Sequence, residues 1–123
     1  MRTLALGLGL GLAVSVAFAA GLENKWRLQF SGDAESDGRI VLQLAPAEGE
    51  PLQATVAIAR GRGENAVARE VRDALRAQVG ARYHVELDDG EDVLVKKHRG
   101  GQDFIVTIVE NSVQGVRIRM DAE

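Results

Sequence analysis

Apolar and polar residues alternate with a period of two along most of this chain, and once, over a single stretch, the period becomes that of a helix. In 24–31, Trp26, Leu28 and Phe30 share one face and Lys25, Arg27 and Gln29 the other, the spacing of a half-buried strand. The segment Gly32 to Gly38 is small, polar and bounded by glycine, which predicts a hairpin loop. A second strand over 39–45 keeps Ile40, Leu42 and Leu44 in phase and ends at Pro46 to Pro51, because proline cannot donate to a ladder. A third over 52–60 turns Leu52, Val56 and Ile58 inward and Gln53 and Thr55 outward.

Gly61-Arg62-Gly63 stops that strand. Val67, Val71, Ala74, Leu75 and Val79 then line one stripe of a helix over 64–79. Glu64 in its first turn complements the helix dipole, and Gly80 predicts a C′ stop. A helix of this length is marginal alone in water and must borrow stability from a sheet. Period two resumes at 82–88 with Tyr83, Val85 and Leu87 inward. An Asp-Gly turn returns the chain as 92–98, and in the two-residue form of that turn His84 falls near Val95. The segment 103–110 is the most apolar strand and is expected at a sheet centre; 113–120 closes the order, with Val116, Ile118 and Met120 opposed to Arg117 and Arg119. The class that follows is α+β: one antiparallel sheet of about six or seven strands, in the order β-β-β-α-β-β-β-β, with the single amphipathic helix packed on one face.

Residues 1–19 have a different character. Arg2 precedes an uncharged apolar run from Leu4 to Phe18, and Ala17-Phe18-Ala19 offers small residues where a signal peptidase reads. The run is about 15 residues, short of the roughly 20 needed to cross a bilayer. Gly7, Gly9 and Gly11 weaken it as a span, and no basic cluster follows as a stop-transfer flank. The chain therefore divides into a signal peptide at 1–19 and one globular domain at 20–123, exported to the periplasm or outside the cell. A cysteine-free domain rich in Ala, Arg, Gly and Val suits a bacterial envelope better than an animal secretome. With no Cys, thiol nucleophiles, thiolate zinc sites, disulfide scaffolds and a cysteine-borne lipid are all excluded.

The formal net charge is −3 with both signs interspersed, which lacks the basic footprint of a nucleic-acid binder. Trp26, Phe30, Tyr83 and Phe104 are the only aromatics after residue 19 and sit mostly at core parity, so a stacking platform for single strands or sugars is not expected. Candidate chemistry is sparse. His84 and His98 lie on different strands, and a third metal ligand does not converge on them in sequence. The acidic turn Asp88 to Asp92 and the run Asp33, Glu35, Asp37 both lack the full ligand spacing of a calcium loop. Gly61-Arg62-Gly63 lacks a phosphate-binding fingerprint, and Ser31, Ser36 and Ser112 lie outside any nucleophile elbow. No cofactor and no metal are expected.

What remains is a polar sheet face. Arg27, Arg39, His84, Glu86, Arg117 and Arg119 point outward by parity and form the candidate binding residues. The expectation is a small exported binding or accessory domain. Its partner would be an envelope or secreted protein, engaged through this face or through an exposed edge strand. The alternatives are a small periplasmic hydrolase using surface carboxylates or His84 with Glu86, and a structural homo-oligomer formed through edge strands. Lys96 and Lys97 read as edge protection against the latter.

Overall fold

Each alternating segment becomes a strand and the 3.6-period segment becomes the helix. The computed structural model describes residues 21–123. The signal peptide expected over 1–19 lies outside the described residues. The elements are β1 (Lys25–Ser31), β2 (Gly38–Pro46), β3 (Leu52–Ile58), α1 (Glu64–Val79), β4 (Tyr83–Asp88), β5 (Asp92–Lys97), β6 (Phe104–Asn111) and β7 (Arg117–Ala122). The protein is α+β, with every strand pairing antiparallel.

The strands divide between two sheets where the sequence reading had one. Four are ordered β4-β5-β1-β7 and three are ordered β3-β2-β6. β1 does not pair with β2, nor β6 with β7; the short connections between them are corners that switch sheets, not hairpins. The two corners lock together through glycine. Gly32 and Gly115 both have φ near +85°, at +85° and +87°. A Cβ on Gly32 would stand 2.0 Å from the Gly115 carbonyl oxygen, and one on Gly115 would stand 2.3 Å from that of Asp33. The backbones approach more closely than any side chain permits.

The second corner also explains why β7 begins at Arg117 and not at 113. The Asn111 side chain accepts from the Val113 N–H at 3.1 Å and donates to the Val116 carbonyl at 3.0 Å. That turn buries Val113 and Val116 as a plug under the corner.

The hairpin between β4 and β5 pairs Tyr83 with Lys97, His84 with Lys96 and Val85 with Val95. The register is one residue from the tight-turn expectation, with Asp88 facing Asp92. A slip by one would set inward valines against outward polar residues, so burial selects the observed pairing. β5 is interior to its sheet, so Lys96 and Lys97 guard no edge; they reach Glu86 at 3.1 Å and Asp103 at 2.8 Å.

The apolar faces meet in one core. Leu28 and Phe30 of β1, Val85, Val93 and Val95 pack with Ile40, Leu42 and Leu44 of β2, Phe104 and Val106 of β6, and Val67, Val71, Leu75 and Val79 of α1. Thus α1 and the three-stranded sheet together cover the inner face of the four-stranded one. α1 packs against β3, β4, β1 and β5. It spans the expected residues, but Gly80 is right-handed (φ −63°, ψ −17°), so the helix does not end in a left-handed C′ glycine. A turn from the Arg82 N–H to the Val79 carbonyl closes it instead.

α1 also seals one side of the molecule. The Gln78 amide accepts from the Thr55 N–H at 2.9 Å and donates to the Thr55 carbonyl at 2.8 Å, pairing with β3 as a neighbouring strand would. Arg76 Nε donates to the Val85 carbonyl of β4 at 2.8 Å. One helix thereby caps an edge of each sheet. Gln78→Ala should lower stability by about 1 kcal/mol, the usual net worth of such bonds near water. It should also raise aggregation through the bared β3 edge. Thermal denaturation and light scattering check both effects, and an unchanged Tm would mean that the pair contributes nothing.

Candidate partner-binding surfaces

Alternation along β4, β5, β1 and β7 decides which side chains reach the outer face of the four-stranded sheet. The registers place His84, Glu86 and Asp88, then Asp92, Leu94 and Lys96, then Lys25, Arg27 and Gln29, then Arg117, Arg119 and Asp121 in adjacent rows. Five of the six sequence candidates therefore share this face. Arg39 does not: it lies on β2 in the other sheet, where it pairs with Glu110 of β6 at 3.0 Å.

The face is a lattice of compensated charge. Arg27 at its centre pairs with Asp92, with Asp88 at 3.0 Å and with Glu123 at 3.0 Å. These bonds, Glu123 first and Asp92 next, hold the guanidinium further above its already high range, so it is always charged. Asp92 is 5% exposed, and its second oxygen, Oδ1, is buried without a partner. Leu94 is buried on this otherwise polar face, directly between Arg27 and Glu86 in the register. Glu123 was not singled out in sequence, and Asp88 and Asp92 were weighed there only as the ends of an acidic turn, not as partners of Arg27. Outward parity of the even-numbered residues in 92–98 was the one available signal for Asp92.

His84 Nε2 lies 3.6 Å from Glu86, and Lys96 lies 3.1 Å from the same carboxylate. Lys96 holds Glu86 below the usual carboxylate range, with His84 adding to the effect. All three side chains are open to solvent, which gives a surface ion cluster and no water-excluding wall to retune a proton donor. A cleft of about 350 Å³ at the end of α1 is lined by Arg76, Gly80, Tyr83, His84, Val85 and His98. Both histidines reach it, although His84 faces Lys96 in the ladder, and His98 Nε2 is 3.3 Å from the Gly80 carbonyl. Among the described residues no group of three or more His, Cys, Asp or Glu could hold a metal ion.

The second surface is the side that α1 does not reach. Here β6 ends one sheet and β7 ends the other. β6 was expected at a sheet centre from its composition; the structure puts it at an edge. The Phe104 N–H and carbonyl bond to Glu23 at 2.8 and 2.9 Å, and Trp26 Nε1 also donates to that carbonyl at 2.9 Å. The Asp103 carbonyl accepts from Ala47 on the β2 side, at 2.9 Å. Alternation then turns the N–H and carbonyl groups of Val106 and Ile108 away from β2, toward no strand among the described residues. A bulge follows, since Leu42 faces Ile108 but Val41 faces Glu110, and it leaves Val109 without a cross-strand partner. Val109 is 51% exposed, the one large hydrophobic side chain that stands out in solvent among the described residues.

Comparison of the chain with protein-family models, curated protein sequences and solved structures gave no match. No helix among the described residues is long and apolar enough to cross a membrane.

Proposed function

We propose that this chain is an exported binding domain that engages a protein partner of the cell envelope or the surroundings through the free edge of β6. The observation that carries this reading is the position of β6. The chain's most apolar strand carries no charge from Phe104 to Val109, yet it stands at an edge where, beyond the Phe104–Glu23 bridge, the outer backbone groups of Val106 and Ile108 are unpaired among the described residues. Natural proteins usually blunt such an edge with charge, proline or cover. β3 and β4 are blunted by α1; among the described residues β6 beyond Phe104 is left open. An extended partner segment would add to it as a further strand, drawing affinity from main-chain bonds and selectivity from the side chains beside them. Export rests on the leader pattern at 1–19.

Two variants test the reading. Val109→Lys places a charge at an exposed edge position and should leave the fold intact. Val106→Pro removes an N–H that points away from β2, so it deletes an edge donor without deleting a ladder bond. Full-length protein used as bait on envelope and culture-supernatant fractions should capture one stoichiometric partner, and each variant should reduce capture about tenfold. Capture that both variants leave untouched would remove β6 from the function.

A further inference from the structure

β7 carries a different signal from β6, in the order of its charges. Its sequence runs Arg117, Ile118, Arg119, Met120, Asp121, Ala122, and Glu123 follows. The Glu123 N–H donates to the Lys25 carbonyl at 3.1 Å, so odd-numbered residues bond to β1. Ile118, Met120 and Ala122 therefore turn their N–H and carbonyl groups to the free edge, where no described strand pairs with them. The odd-numbered side chains stand on the outer face, basic in the first half of the strand and acidic in the second.

We propose that this edge pairs with β7 of a second copy of the chain, antiparallel about a two-fold axis through Met120. In that register Met120 faces its own counterpart, Ile118 faces Ala122, Arg119 faces Asp121 and Arg117 faces Glu123. The outward backbone groups fall in the hydrogen-bonded pairs. The charged residues fall in the non-hydrogen-bonded pairs, where side chains across an antiparallel ladder stand closest. Every charge meets its opposite. A slip of two residues one way sets Arg119 against Arg119, and the other way Asp121 against Asp121. A slip of one residue sets inner faces against outer ones. The charge order thus selects a single register, as an isologous contact requires of a self-complementary patch. The central charges are free to engage: Arg119 is 74% exposed and Asp121 46% exposed, paired among the described residues with each other along the strand at 3.1 Å, whereas Glu123 would share its carboxylate between Arg27 and the incoming Arg117. The result is one sheet continuous through two copies.

Charge exchange tests the pairing, and it does so independently of β6. Arg119→Glu sets a carboxylate against Asp121 of the other copy, and Asp121→Arg sets a guanidinium against Arg119 of the other copy, so each variant repels itself. Mixed together, they restore opposite charges at both contacts. Sedimentation equilibrium on the full chain at low ionic strength should show a concentration-dependent dimer. Each single variant should weaken it about tenfold or more, and the equimolar mixture should recover a dimer containing one of each. Circular dichroism of each variant confirms that it is folded; neither substituted side chain is buried. A native chain that stays monomeric at high concentration would overturn the proposal. So would variants that dimerise as well as the native chain, or a mixture that fails to recover.

Discussion

Gly32→Ala should lower the stability of this domain by about 3 kcal/mol, as the sum of two separate costs. An alanine at φ +85° costs roughly 1–2 kcal/mol for the left-handed backbone alone. Its Cβ would then stand 2.0 Å from the Gly115 carbonyl oxygen, and the displacement of one corner from the other adds roughly 1–3 kcal/mol. At about 4–8 °C per kcal/mol for a domain of this size, Tm should fall by roughly 12–24 °C. Gly61 provides the control. It has a similar φ of +95° with nothing within 4 Å of its would-be Cβ, so Gly61→Ala carries the backbone cost only. Thermal unfolding of both variants separates the terms, and equal losses would mean that the close approach of the corners contributes nothing.

These corners also mark where the sequence stopped being informative. Alternation identified the strands and the inward set from Trp26 through Met120, because burial on one face imposes period two directly on the residues. It could not say which strands pair. Short polar connections after Ser31 and after Asn111 look like hairpins. What makes them corners is contact between Gly32 and Gly115, residues far apart in the chain whose neighbours give no local sign of it. The same blindness misplaced β6. An apolar run can mean burial between two strands or an uncovered edge, and composition alone does not separate the two.

Parity was equally partial for the binding face. It placed Arg27, His84, Glu86, Arg117 and Arg119 together, since their outward direction is local. Arg39 shares the parity but went to the other sheet. The partners of Arg27 come from β4, β5 and the residue after β7, and only the assembled strand order brings them together.

Arg27→Met should cost about 3 kcal/mol, out of proportion to its position on an outer face. Removing a surface arginine usually changes little, because water replaces its partner. Here the partner cannot be rehydrated. The Asp92 side chain is only 7% exposed, and its other oxygen already lacks a bond. Loss of the guanidinium strands a carboxylate under neighbouring side chains, and breaking such a pair is far costlier than never having built it. The double variant Arg27→Met with Asp92→Asn should therefore recover much of the loss, since a neutral amide tolerates the site. Urea unfolding of the two single variants and the double one measures the coupling. Glu123 adds a dependence on pH. Arg27 holds its folded-state pKa below the ordinary carboxylate value. Its contribution is complete above that ordinary value and is lost as pH falls through the lowered one. The gap between native protein and Arg27→Met should accordingly narrow toward acid. A gap that is constant with pH, or a double variant no more stable than Arg27→Met alone, would show that the arginine holds the face by packing and not by charge.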